Sequence, residues 1–273
     1  KAIFSCRCDA SKANIITVVN GDRYDVNLCR WLQDQQDIQC IFESISSAPH
    51  SVWVGRKYVE TPFFCFLDDD DELLPGAISA RLEQIVADDK IDLLISNGLV
   101  KKNKTEKLFY KSLPSIISSP LTSLFSANWL ASCSGFFRSN SFDSDFFSDY
   151  HPYAEWTWLA YKLCLDNKNI SVFDKPTFRI NDSHDSLSKS EEYFQSYESL
   201  YERMLNKNPN HTIKKIILNK LRDDYHNTAD RKLKQGDIRT SLNFHLKSLL
   251  YPGGLRYLAF SRKYFKLSNF SKA

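Results

Sequence analysis

Residues 63–76 constrain the fold more than any other stretch. Phe63-Phe64-Cys65-Phe66-Leu67 runs without a polar side chain into Asp68-Asp69-Asp70-Asp71-Glu72, and Pro75-Gly76 follow two residues later. Five such residues predict a strand covered on both faces. The acids fall where that strand ends. Four adjacent aspartates repel one another, which a fold rarely tolerates for stability alone. A hard divalent cation, Mg²⁺ or Mn²⁺, removes the conflict, because carboxylate oxygens are its preferred ligands. The alternative is a solvated turn that starts a helix, where acids are also favoured.

The elements before this stretch alternate. Ile15–Val19 is β-branched and predicts a strand ending at the turn signature Asn20-Gly21-Asp22. Asp25 can cap a helix that faces Leu28, Trp31 and Leu32 to one side. Ile38–Phe42 predicts a second strand ending at Glu43, and Ser51–Val59 a helix carrying Arg56. Strand, helix, strand, helix, strand implies βαβ units, hence an α/β fold with a mostly parallel, Rossmann-like sheet flanked by helices. Ligands of such sheets bind beyond the C-terminal strand ends. Asn20, Glu43 and Asp68–Asp71 all fall there, so they are expected to line one crevice.

After the acids, Pro75–Asp88 predicts a helix and Ile91–Ser96 a strand. Residues 99–126 are polar and Ser-rich and read as a long loop with short helices. Ser134–Arg138 reads as a returning strand. A helix from about Glu155 points Trp158, Leu159 and Leu163 to the core, with Glu155 in its first turn. There Glu155 is either a cap balanced by the helix dipole or a functional acid. Ile170–Phe173 and Phe178–Ile180 read as strands before a polar loop holding Asp182, His184 and Asp185. From Glu191 onward the pattern is helical, which divides the chain into an α/β domain over 1–190 and a helical extension over 191–273.

Composition excludes several classes. Only 8 Gly occur in 273 residues, with neither G-x-G-x-x-G nor G-x-x-x-x-G-K-[ST], which argues against a dinucleotide fold and a P-loop. The seven cysteines sit mostly in apolar runs and read as buried thiols of a reducing compartment. No apolar stretch approaches the roughly 20 residues of a membrane span, and no secretory leader is evident, so the expected location is cytoplasmic. The net charge of +3 is uneven: after Asp237 there are seven basic residues and no acid, and the body before them is mildly acidic. The aromatic, basic run Leu255–Leu267 suits either an anionic membrane surface, peripherally on the inner face of the cell membrane, or packing on the body. Nucleic-acid binding is not expected, because the body is acidic and carries no recognition motif.

Taken in order, the strand ending in Asn20, the Leu67-Asp68-Asp69-Asp70-Asp71 run before Pro75, the Glu155-Trp156 helix start and the late Ser/His loop resemble inverting family 2 glycosyltransferases with the GT-A fold, of the bacterial surface-polysaccharide or lipopolysaccharide type. The resemblance covers roughly residues 14–190. It implies a nucleotide-sugar donor, a glycan or lipid-linked glycan acceptor and a divalent cation. Asp68 and Asp70 match the D-x-D motif: Asp70 would bind the cation, and Asp68 would hold the ribose or a water on the cation. Asp69, counted with the donor contacts, and Asp71 would shape the turn or support the acceptor side. Asn20 and Glu43 would contact the nucleotide, Arg56 the diphosphate, and His184 would complete the metal or diphosphate site, with Asp182 and Asp185 as alternatives. The family commonly shows Glu-Asp where this chain has Glu155-Trp156. Glu155 is therefore the candidate base, and Trp156 or Trp158 could stack on a sugar. Two competing readings remain. One is a nucleotidyltransferase that makes nucleotide-sugars, which would normally carry a Gly-rich phosphate loop. The other is a non-catalytic glycan- or membrane-binding protein with a degenerate site.

Overall fold

The computed structural model describes residues 1–8, 13–102, 105–182 and 190–264. The chain divides into two compact units, Lys1–Ser190 and Glu191–Ala273.

The first unit begins with α1 (Ala2–Arg7), β1 (Ile15–Asn20), α2 (Val26–Gln33), β2 (Ile38–Glu43) and α3 (Ala48–Lys57). Asp25 caps α2 by accepting from the backbone N–H groups of Asn27 and Leu28. Ser47 caps α3, and Pro49 sits in its first turn, where its missing N–H costs nothing. β1 and β2 pair in parallel, which sets Asn20 opposite Glu43 at the ends of the two strands.

The third strand does not extend that pair. β3 (Phe63–Cys65) ends two residues before the expected Leu67 and pairs antiparallel with a later strand. β4 (Glu72–Leu73), α4 (Ala77–Val86), β5 (Leu93–Lys102) and β6 (Thr105–Leu108) follow. Next come α5 (Ser115–Ser118), α6 (Pro120–Ser126), β7 (Gly135–Arg138), α7 (Asp145–Ser148), α8 (Glu155–Leu165) and β8 (Ile170–Asn181). The second sheet runs β3-β7-β5-β8-β4, with β6 on β5; β5 and β8 are parallel and the other pairs antiparallel. Its centre is dry: Leu93, Leu94, Ile95 and Phe137 are buried, and Ile85 of α4 packs on Leu94 and Phe136. Each such side chain contributes roughly 1.5–3 kcal/mol on burial.

Two stretches differ from the sequence reading. Residues 99–102 and 105–108, expected as loop, pair antiparallel as the end of β5 and β6. All four β6 residues are exposed, so no apolar alternation marks the strand. Residues 170–181 form one strand rather than two. A register shift at Asn97 and Gly98 accommodates Pro176, which has no N–H to give to a ladder. The register requires glycine at 98, because a Cβ there would lie 2.2 Å from the Phe178 ring.

The second unit holds α9 (Glu191–Leu205), α10 (His211–Lys234), α11 (Ile238–Leu250) and a 3₁₀ segment over Gly254–Ser261. Its interior includes Leu200, Met204, Ile217, Leu221 and Tyr225. Asn210 caps α10 and Asp237 caps α11. No helix among the described residues is long and apolar enough to cross a membrane.

Candidate active site

The acidic turn is held from behind by rings and from both sides by polar groups. Phe64 stacks on Phe137 at 5.0 Å, and Phe66 packs on Phe147 at 5.5 Å, so the strand enters the turn from a rigid aromatic layer. The backbone then closes through Asp71 N–H to Asp68 O, 3.2 Å. On one side, a 3₁₀ turn (Ser132–Ser134) presents Ser132 Oγ, which donates to Asp68 Oδ2 at 2.7 Å, and Cys133 Sγ, which donates to Asp71 Oδ2 at 3.2 Å. On the other, the end of β8 donates Asn181 N–H to Asp71 Oδ1 at 3.0 Å and Asn181 Nδ2 to Asp70 O at 2.7 Å.

This scaffold gathers three of the four aspartates. Carboxylate oxygens of Asp68, Asp70 and Asp71 lie within 4.8 Å of one another, and Asp69 is outside the group. Asp68 touches water yet has enough protein packed around it to weaken its solvation. Burial raises its pKa, and Asp70 and Asp69 push the same way against the Ser132 hydroxyl. Burial, then Asp69, raises Asp70. Asp71 is pushed up to about 6 by burial despite its two donors. Among the described residues, no side chain donates to the Asp70 carboxylate. An all-oxygen set under mutual repulsion fits Mg²⁺ or Mn²⁺ and not a soft metal.

Glu155 lies in a different environment. It opens α8, where Ala154 provides no side-chain cap. It lines a pocket whose other walls are mostly apolar, among them Pro49, Val52, Phe147 and Leu159, with Asp149 and Lys162 also present. Burial pushes its carboxyl up to about 7, opposed by its own backbone N–H and reinforced by the Asp68 charge. That coupling puts Glu155 in the field of the acidic turn. Phe66 joins the two physically, its ring 5.6 Å from that of Trp156. Trp158 is fully buried and donates Nε1–H to Asp149 O at 2.8 Å, which makes it a core residue and not a sugar platform.

The other expected residues are placed as follows. Asn20 and Glu43 are together at the end of the β1–β2 pair. Glu43 accepts from Ile45 N–H at 3.3 Å and lies 3.4 Å from His50 Nε2, and both hold its pKa low. No hydrogen bond or ion pair among the described residues joins Asn20 or Glu43 to the aspartates. Arg56 is buried, and no hydrogen bond or ion pair among the described residues joins it to the acids. It donates to Phe142 O (2.5 Å), Ser139 O (3.1 Å) and Val59 O (3.4 Å), and its guanidinium stacks on Phe64 at 4.7 Å. It braces the aromatic layer behind the turn, so the diphosphate contact expected of it finds no support. His184 and Asp185 lie outside the described residues. Asp182 is described; it pairs with Lys102 at 3.4 Å.

No protein-family model matches the chain, and no curated protein sequence matches it. Solved structures do. Staphylococcus aureus TarS 1–349 in complex with UDP-GlcNAc superposes with a TM-score of 0.60 at 18% identity, over 89% of this chain and 76% of that one. TarS 1–349 without a named ligand gives 0.55 at 16%, over 83% and 67%. TarS 1–349 in complex with UDP gives 0.54 at 17%, over 81% and 65%. The chain has the GT-A fold.

Reading the sequence missed Asp71 as a member of the carboxylate group, and it missed Ser132, Cys133 and Asn181 as the groups that shape the turn. It also missed Arg81. That guanidinium is fully buried, donating to Cys133 O at 2.8 Å and Thr177 Oγ1 at 2.9 Å, and so fixes the loop that holds Asp68 and Asp71. One signal was present: Ser132-Cys133-Ser134-Gly135 is a run of small residues before a strand, which suits close approach to another backbone.

Proposed function

We propose that the chain is a glycosyltransferase. It moves a sugar from a nucleotide-sugar donor to a hydroxyl of a glycan or lipid-linked glycan, with inversion, using a divalent cation (Mn²⁺ or Mg²⁺) at the acidic turn. The observation that carries this reading is the pairing of a three-carboxylate cluster at a GT-A strand end with Glu155, which senses the Asp68 charge from an apolar wall. The TarS complexes with UDP-GlcNAc and with UDP support a nucleotide-sugar as the donor class.

Asp70, with Asp68 or Asp71, would hold the cation. Bound there, it neutralises the donor diphosphate and the charge that develops as the nucleotide leaves. Asp68 is fixed by Ser132, so one oxygen keeps a set direction toward the ribose or the cation. Asn20 and Glu43 border the nucleotide end of the cleft. Glu155 takes the acceptor hydroxyl proton as that oxygen bonds to the anomeric carbon and the carbon–phosphate oxygen bond breaks. The electron pair of the broken bond stays on the diphosphate. A carboxyl raised to about 7 is half ionised near neutrality and accepts a proton more readily than an ordinary glutamate. The working location in this reading is the cytoplasmic side.

The test is a panel of nucleotide-sugars with Mn²⁺ and glycan acceptors, read by release of nucleoside diphosphate. Release that needs both cation and acceptor supports transfer. Pyrophosphate formation from a sugar phosphate and a nucleoside triphosphate would replace it with nucleotidyl transfer.

A further inference from the structure

The C-terminal unit carries an amphipathic helix with its faces reversed. α11 buries Ser241, His245 and Ser248, at 0%, 1% and 0% exposure, three to four residues apart on one face. Their hydroxyls are satisfied inside the unit: Ser241 Oγ donates to Ala229 O and Ser248 Oγ to His245 O, each at 2.6 Å. Ile238, Leu242, Leu246 and Leu250, spaced by four, face outward, and Leu250 is 85% exposed. The 3₁₀ segment buries Gly254 and Phe260 while exposing Leu255 and Leu258. Surfaces hold scattered leucines at little cost, but a row of them opposite a buried polar face marks a surface meant to be covered.

We infer that this face docks on an anionic membrane surface. The choice of occupant rests on charge. Residues 238–273 contain seven bases and no acid. Arg256, Lys263 and Lys247 are held by Asp223, Asp230 and Glu198. Arg239 and Arg262 are exposed and have no ion-pair partner among the described residues. A second copy of the chain, meeting this face through a two-fold axis, would set the same positive excess against itself. A bilayer with anionic headgroups answers both parts, with acyl chains for the leucines and headgroups for the arginines. At 13 residues α11 is about 20 Å long, suited to lying in the interface and too short to cross it. The inference concerns the C-terminal unit and stands independently of the sugar-transfer reading.

The experiment is sedimentation of the full chain with phosphatidylcholine vesicles, with and without phosphatidylglycerol as about a third of the lipid. Binding to the anionic vesicles, at least about tenfold above the neutral ones and weakened by salt, is the expected result. Arg239→Gln with Arg262→Gln lowers it by about tenfold or more, since each base near the surface is worth about 1 kcal/mol. Leu242→Ser, Leu246→Ser and Leu250→Ser together abolish it with an unchanged melting temperature. Leu250→Ser alone, at the most exposed position, weakens it even if the triple variant folds poorly. No binding to anionic vesicles, or equal binding by Leu250→Ser, overturns the inference. So does a dimer in light scattering that Leu250→Ser dissolves, which makes a second copy the occupant.

Discussion

The acidic turn and the start of α8 both hold carboxylates whose pKa burial raises, and they differ in what opposes that rise. At the turn, donors meet the acids: the Ser132 hydroxyl on Asp68, and the Cys133 thiol and Asn181 N–H on Asp71. Each donor favours the charged form, and the cluster keeps three oxygens close in spite of repulsion. At α8, the pocket that Glu155 lines is mostly rings and aliphatic groups with Asp149 and Lys162, and no side chain among the described residues donates to Glu155. Burial dominates and the proton is held up to about pH 7. The difference separates two tasks. In the proposed transfer, the first setting would suit carboxylates that hold a cation and the second a group that exchanges a proton.

The expected effects rank accordingly. Asp70→Ala should abolish transfer and cation-dependent nucleotide binding, because Asp70 is the cluster member whose carboxylate no described side chain occupies; activity near wild type would erase the contrast. Glu155→Gln should lower kcat by about 10²–10⁴-fold, the usual worth of a positioned base, with donor affinity unchanged. Weakened donor binding in that variant would move Glu155 to the turn's side of the comparison. The pH profile sharpens the same point. A base must be ionised, so kcat/KM of the wild type should fall about tenfold per unit below pH about 7, and the residual rate of Glu155→Gln should lack that limb.

Stability gives a smaller reading. Asp71 at about 6 and Glu155 at about 7 bind protons more tightly folded than unfolded. Their contribution is complete below the unfolded carboxylate range and is lost as pH rises through about 6 to 7. The metal-free protein should melt lower at pH about 7.5 than at about 5.5, and Mn²⁺ should raise the melting temperature more at the higher pH. A Mn²⁺ shift independent of pH would separate cation binding from the raised carboxyls. The smallest change is Ser132→Ala, a loss of about 1 kcal/mol in cation-dependent nucleotide binding from one hydrogen bond. Arg56→Met is the control: it should lower the melting temperature and leave donor affinity intact.

Much of the first unit is legible in the sequence where local chemistry and tertiary fate agree. Ile15–Val19 and Ile38–Phe42 are β-branched or aromatic runs that pair in parallel, and Asp25 caps the helix between them. The acidic turn stands out because four adjacent aspartates directly behind five apolar residues are rare in a fold without a cation or a solvated helix start to relieve them. Legibility fails where partners come from far along the chain. Ser132 and Asn181 are 64 and 111 residues away from the acids they bond, and nothing local to either announces that. Arg56 reads as a diphosphate contact, because sequence shows its charge but not the three carbonyls that surround it. Thr105–Leu108 is a strand made by pairing with β5 alone, so its exposed side chains leave no pattern.

The direct measurement is calorimetric titration of UDP, and of the other common nucleoside diphosphates, into the wild type, Asp70→Ala and Glu155→Gln, each with Mn²⁺ and with EDTA. The account requires binding of at least one nucleotide that depends on Mn²⁺, disappears in Asp70→Ala and persists in Glu155→Gln. Binding that survives in Asp70→Ala, or no binding of any nucleotide by the wild type with Mn²⁺, would contradict it.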